Sequence, residues 1–189
     1  MANLLRTLSW VALLSALAGC VSTMMTEVAS PEIRSPAPGK VKVVFMRTSM
    51  VAGAIGAELF EVVDGQLNFV GALAQGTKIA YETTPGQKVF MAYGTAADFM
   101  VGNLSGGKVY YSIVRPNWGT GGMAPTPVKA QAMNSAEFAS WVASTKLIAP
   151  NAEATGWFSR EKARYQGIYT EYWSRFQRKT PAEKAERTL

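Results

Sequence analysis

The side chains that carry most enzyme chemistry are scarce in this chain. It has no histidine and a single cysteine, Cys20, which removes imidazole bases, Cys–His pairs and zinc sites built from those ligands. A serine nucleophile could still use a lysine base, and two Ser-x-x-Lys spacings occur, "SGGK" at Ser105 to Lys108 and "SREK" at Ser159 to Lys162. The companion Ser-Asp-Asn and Lys-Thr-Gly elements of such sites are missing. The first spacing reads as a glycine-rich hairpin connection and the second as the solvent face of a helix. Glu58 and Glu61 stand three apart on a strand candidate, so they point to opposite faces and cannot work as a paired acid and base. The loop "NWGTGGMAP" from Asn117 lacks the Lys and Ser or Thr of a phosphate-binding loop and runs into prolines rather than a helix. It reads as a hairpin or bulge. No catalytic set, cofactor site or metal site is expected.

The one thiol has a different explanation. Arg6 is the only cation before a run from Leu8 to Leu17 that is apolar apart from Ser9 and Ser15, the arrangement of a secretory signal. The run is too short for a membrane span of about 20 residues. It ends in Leu17, Ala18, Gly19 and Cys20, and this "LAGC" resembles the lipobox of bacterial lipoproteins. The resemblance implies that residues 1–19 are a leader, that a signal peptidase recognises Leu17, Ala18 and Gly19, and that the sulfur of Cys20 carries diacylglycerol. The membrane is then a partner through that anchor. Burial gives about 0.8 kcal/mol per methylene, so two or three long acyl chains hold essentially permanently. In a Gram-negative host the lipoprotein sorting rule reads Val21, rather than Asp, as an outer-membrane address facing the periplasm. Lipidation also accounts for a lone cysteine that has no disulfide partner in an oxidising compartment. The formal charge of +6 favours anionic neighbours, but the leader takes the chain away from cytoplasmic nucleic acid, which is not expected as a partner.

The elements that would position any site follow from periodicity. Residues 20–39 are rich in Ser, Thr and Pro and read as a lipidated cysteine with a flexible tether, whose root-mean-square span is roughly 20 to 25 Å. Residues 40–133 switch to period two. Lys40 to Arg47 is the first strand candidate; "AELFEVV" and "LNFVGAL" flank the turn pair Asp64 and Gly65; "TKIAYET" and "KVFMAYG" flank Pro85 and Gly86; "ADFMV" and "KVYYSIVRP" flank "GNLSGG". "APTPVKAQA" is weaker, because Pro125 and Pro127 demote it to an edge strand or an extended segment. About seven short strands with close turns predict an antiparallel β-sandwich. The pieces "VVFMRTSM", "FVGALAQGTKIAY", "TTPGQKVFM" and "GKVYYSIVRP" resemble an uncharacterised domain of bacterial lipoproteins, a sandwich similar in style to transthyretin-like and carboxypeptidase-regulatory-like modules. That resemblance implies a fold and an anchor, with no activity to assign.

Residues 134–189 turn helical, making the expected architecture mainly β with an α-helical C-terminal extension of one short and one long helix. Asn134 and Glu137 fit a capping box, and Phe138, Trp141 and Val142 share a face. After Pro150 a long helix starts between Asn151 and Trp157 and runs to about Lys179, with Thr180, Pro181 and Glu183 opening a final segment. Phe158, Tyr165, Tyr169, Tyr172 and Phe176 form one stripe, opposite Arg160, Arg164, Glu171 and Arg178. The stripe has three readings: core packing on the sandwich, contact with a partner protein, or lying along a membrane. Its width is that of an ordinary surface helix, which favours packing. The functional expectation is a non-enzymatic, lipid-anchored envelope module that binds an envelope protein or peptidoglycan, or has a structural role. The alternatives are an envelope hydrolase or transferase using Asp, Glu, Lys or Tyr, and self-association through edge strands.

Overall fold

The computed structural model describes residues 23–48, 53, 55–119 and 121–189; the expected leader with Leu17, Ala18 and Gly19, and Cys20 itself, lie outside the described residues. The strands are β1 (Met25–Glu27), β2 (Val41–Arg47), β3 (Ala57–Val63), β4 (Gln66–Leu73), β5 (Thr77–Thr83), β6 (Gly86–Tyr93), β7 (Ala97–Leu104), β8 (Val109–Asn117), β9 (Gly122–Pro127) and β10 (Lys146–Pro150). The helices are α1 (Ala136–Ser144), α2 (Ala152–Gln177) and α3 (Pro181–Ala185), and a 3-10 turn at Ala130–Asn134 precedes α1.

The protein is mainly β with C-terminal helices, as expected, but the expected antiparallel sandwich of about seven strands is not what forms. Ten strands make one mixed sheet in the order β1-β10-β5-β2-β8-β9-β7-β6-β3-β4. Three contacts are parallel: β2 with β8, β5 with β10, and β7 with β9. The reason lies in the connections. Asp64 and Gly65, at φ 50° and 75°, make a true two-residue hairpin between β3 and β4. The turns at Pro85–Gly86 and Ser105–Lys108 reverse the chain equally sharply, yet β5 and β6 are not neighbours, and neither are β7 and β8. Central β2, "VKVVFMR", is buried on both of its faces. Val41, Val43 and Phe45 face the interior cluster while Val44 and Met46 face the outside, and all five are fully buried.

The sheet curls until its two ends nearly meet. Opposite Leu59, β4 carries a bulge at which Gly71 adopts φ 150°. A Cβ on Gly71 would lie 2.6 Å from Ile79 Cδ1 of β5 and 3.0 Å from Met25 Cε of β1, so glycine lets side chains close the seam that no ladder bridges. Segment 20–39, expected to be a flexible tether, therefore contains a built-in strand at β1, and the stretch expected to be helical contributes β10. Strand β9 is internal, not an edge. Met123 N donates towards β7, at Ala96 O, and Val128 N towards β8, at Tyr111 O. By alternation Pro125 and Pro127 fall on the β7 side, where the ladder is limited to Ala97 opposite Met123, so their missing N–H groups break no bond.

Helices cover both outer faces. The long helix α2 is capped by Asn151, whose Oδ1 accepts from Glu153 N and Ala154 N. Its aromatic stripe lies on β3, β4, β6 and β7. The short helix α1 covers Val44, Met46, Ile113 and Val128 with Phe138, Trp141 and Val142. The cap of α1 is Ser135, accepting from Phe138 N, in place of the expected Asn134, which belongs to the 3-10 turn. Lys78 closes its other end, donating to the carbonyls of Val142 at 2.6 Å and Thr145 at 2.7 Å, a cation where the helix dipole is negative. The expected final segment is α3, where Thr180 and Glu183 form a capping box.

Candidate functional site

The aromatic stripe is core. Tyr165 and Phe176 are buried against Phe60, Leu67, Met91, Ala97 and Phe99, with Phe158, Tyr169 and Tyr172 half-buried in the same cluster. Phe158 stacks on Phe69 at 5.7 Å, Tyr165 meets Phe60 at 4.8 Å, and Phe176 meets Phe99 at 5.4 Å. Of the three readings of α2, packing on the sheet is the one these contacts describe.

Of the two Ser-x-x-Lys spacings, the first lies in a turn and the second on an exposed helix face. Ser105 lies in the exposed turn before β8, its N–H donating to Tyr110 Oη at 3.0 Å. Ser159 donates to Thr155 O of its own helix at 2.9 Å, with Lys162 exposed. Glu58 and Glu61 do point to opposite faces. Glu58 faces α2, where burial raises its carboxyl above the ordinary value. Glu61 points into the curled sheet and is saturated: Lys88 Nζ at 2.8 Å and Thr83 Oγ1 at 2.8 Å meet Oε1, and Tyr81 Oη donates to Oε2 at 2.7 Å. Burial and the bond to Glu61 push the Tyr81 hydroxyl well above its ordinary value. A second buried carboxylate, Asp98, binds Asn117 Nδ2 at 2.8 Å and Arg187 Nε at 3.3 Å. Arg187 also reaches Thr126 Oγ1, and its carbonyl accepts from Val101 N. The last residues thereby fill the gap left between β7 and β9, with Leu189 N donating to Val101 O at 2.8 Å. Both acidic clusters are internal fastenings, with their lone pairs engaged by protein donors.

A groove of about 490 Å³ opens on the outer face of β8 and β9. Strand β8 supplies Ile113, Arg115 and Pro116, β9 supplies Thr126 and Pro127, and α1 supplies Glu137 and Trp141. The β8–β9 loop adds Trp118, whose side chain is 80% exposed. This loop is the expected hairpin: Gly121, at φ 71°, donates to Asn117 O at 2.8 Å, and Gly119 N is held by Asn117 Oδ1 at 3.1 Å. Lys129, also on the rim, donates to Thr188 O. The groove thus combines two indole faces, two prolines, an exposed Arg115 and one carboxylate, Glu137. Such a surface can stack on a flat or apolar group and donate to an acceptor from the guanidinium. Sequence reasoning missed it because Trp118 and Trp141 lie on different elements; the available signal was a tryptophan within a glycine-rich loop, where no core needs it.

Among the described residues no helix is long and apolar enough to cross a membrane. No protein-family model matches the chain, and no curated protein matches it.

Proposed function

We propose that this protein is a lipid-anchored module of the bacterial cell envelope that binds an envelope ligand, a protein segment or peptidoglycan, in the groove over β8 and β9, without catalysing a reaction. The observation that carries the binding part is Trp118, a large apolar side chain left 80% exposed at the mouth of a groove. Stranded aromatic surface of this kind marks contact sites on otherwise polar exteriors. The anchor part is supported by the residues Leu17, Ala18, Gly19 and Cys20 behind an apolar leader. The non-enzymatic part is supported by the saturation of Glu61 and Asp98, the two carboxylates buried most deeply in the described fold.

The test is site-specific photo-crosslinking in intact cells, with the photoreactive residue at position 118 and, as control, at exposed Arg160 on the far face of α2. A discrete adduct from position 118, absent from position 160 and lost on adding Trp141→Ala, is expected. A protease-sensitive adduct identifies a protein ligand and a muramidase-sensitive one identifies peptidoglycan. Identical adduct patterns from the two positions would sink the binding-groove reading.

A further inference from the structure

The first described residues are not slack. Asn151 Nδ2 donates to Thr23 O at 2.7 Å, and Asn151 N donates to Met24 O at 3.0 Å. Met24 and Met25 are buried in the interior cluster. Strand β1 then pairs with β10 through Met25 opposite Pro150, Thr26 opposite Ala149 and Glu27 opposite Ile148, and Val28 N extends the contact to Leu147 O at 2.8 Å. The chain is thus fastened from Thr23 onward. Three peptide units separate Cys20 from Thr23, and at about 3.6 Å each they reach at most roughly 11 Å.

We infer that the folded domain lies directly against the bilayer that holds its acyl chains, with the β1–β10 edge and the first turn of α2 facing the lipid headgroups and the groove facing away. This rests on the lipid-anchor reading proposed above. The short reach forbids the stand-off of 20 Å or more that a loose tether of residues 20–39 would give, roughly estimated from flexible-chain dimensions. The surface beside the exit suits headgroups and not hydrocarbon. It presents Thr26, Asn151, Glu153 and the exposed pair of Glu27 with Lys146 at 3.0 Å. The direction of the groove follows from the strand order. From β1 the ring passes β10, β5, β2 and β8 before reaching β9, five steps in a nearly closed set of ten strands. Five steps is half a turn, across a ring whose backbone diameter is roughly 15 Å at about 4.8 Å per strand. A ligand in the periplasm then meets the groove unobstructed, whereas a ligand in the membrane does not.

Acylation of Cys20 leaves any introduced cysteine as the sole thiol, which makes the geometry measurable. Full-length protein extracted from membranes, carrying Glu153→Cys or Trp118→Cys labelled with one fluorophore, is reconstituted into vesicles of phosphatidylethanolamine and phosphatidylglycerol that contain a headgroup spin-labelled lipid, a near-contact quencher. Quenching at position 153 is expected to exceed that at position 118 at least about twofold. A spacer of about ten Gly and Ser residues before Thr23, adding roughly 17 Å of mean span, should abolish the excess. Vesicle-bound protein with equal quenching at both positions, or with an excess that survives the spacer, overturns the proposed orientation while leaving the anchor intact. Failure to stay on the vesicles, or binding unaltered by Cys20→Ser, overturns the anchor and the orientation with it.

Discussion

Phe99→Ala separates a helix that is part of the fold from one that merely rests on it. Phe99 is fully buried on the outer face of β7 and meets three rings of α2, Tyr169 at 6.1 Å, Trp173 at 5.0 Å and Phe176 at 5.4 Å. Truncating a buried phenylalanine removes its transfer energy and leaves a cavity, about 3–5 kcal/mol together. Each lost ring contact contributes about 0.5–1.5 kcal/mol beyond area, within that total. For a chain of this size a loss near 4 kcal/mol lowers Tm by roughly 8–16 °C. The assay is urea unfolding followed by far-ultraviolet circular dichroism, on a chain without leader and with Cys20→Ser to keep lipid out. A double-mutant cycle with Trp173→Ala should return a coupling of about 0.5–1.5 kcal/mol. A loss below about 1 kcal/mol with no coupling would show that α2 is not seated on β7, and the assignment of its stripe to the core would fail.

Other substitutions test the interior. Glu61→Ala strands Lys88, Tyr81 and Thr83 inside the curled sheet and should cost about 3–5 kcal/mol, seen as a lower urea midpoint; an equal loss from Lys162→Ala on the surface would contradict this. Gly71→Ala forces a methyl to within 2.6 Å of Ile79 at a φ that favours glycine, and should destabilise by about 1–3 kcal/mol, whereas Gly167→Ala, in open space on α2, should stabilise by up to about 1 kcal/mol. Glu58 tests the linkage to pH. Burial raises its carboxyl in the folded state, so between the ordinary carboxylate value and the raised one the folded protein holds more protons than the unfolded one. Its contribution to stability therefore falls as pH rises through that window. Glu58→Gln should melt higher than the parent at pH 7, with the gain shrinking as pH drops into the ordinary carboxylate range; a gain independent of pH would refute the cause.

Local structure was largely legible in the sequence, and global topology was not. Alternation placed β2 to β8 closely, and the 3.6-residue period after Pro150 placed α2. Turn chemistry reports that the chain reverses, not which strand it joins next, so Pro85–Gly86 and Ser105–Lys108 looked like hairpins although four strands separate β5 from β6 and β9 separates β7 from β8. Met25–Glu27 and Lys146–Pro150 are too short to show a period. Their partners in the ladder lie more than a hundred residues apart in sequence, Met25 opposite Pro150 and Glu27 opposite Ile148. Pro125 and Pro127 misdirected the placement of β9, because proline excludes only a ladder on the side its nitrogen faces. The groove was illegible for a related reason: Arg115, Trp118 and Trp141 converge only after β8 and α1 take their places.

The proposed lipid on the sulfur of Cys20 is read out by the mass of the N-terminal peptide from protein extracted from membranes of expressing bacteria. A mature chain that begins at Cys20 and carries the mass of diacylglycerol, with or without a further acyl group, is predicted. A peptide that begins elsewhere, or an unmodified Cys20, would contradict the account.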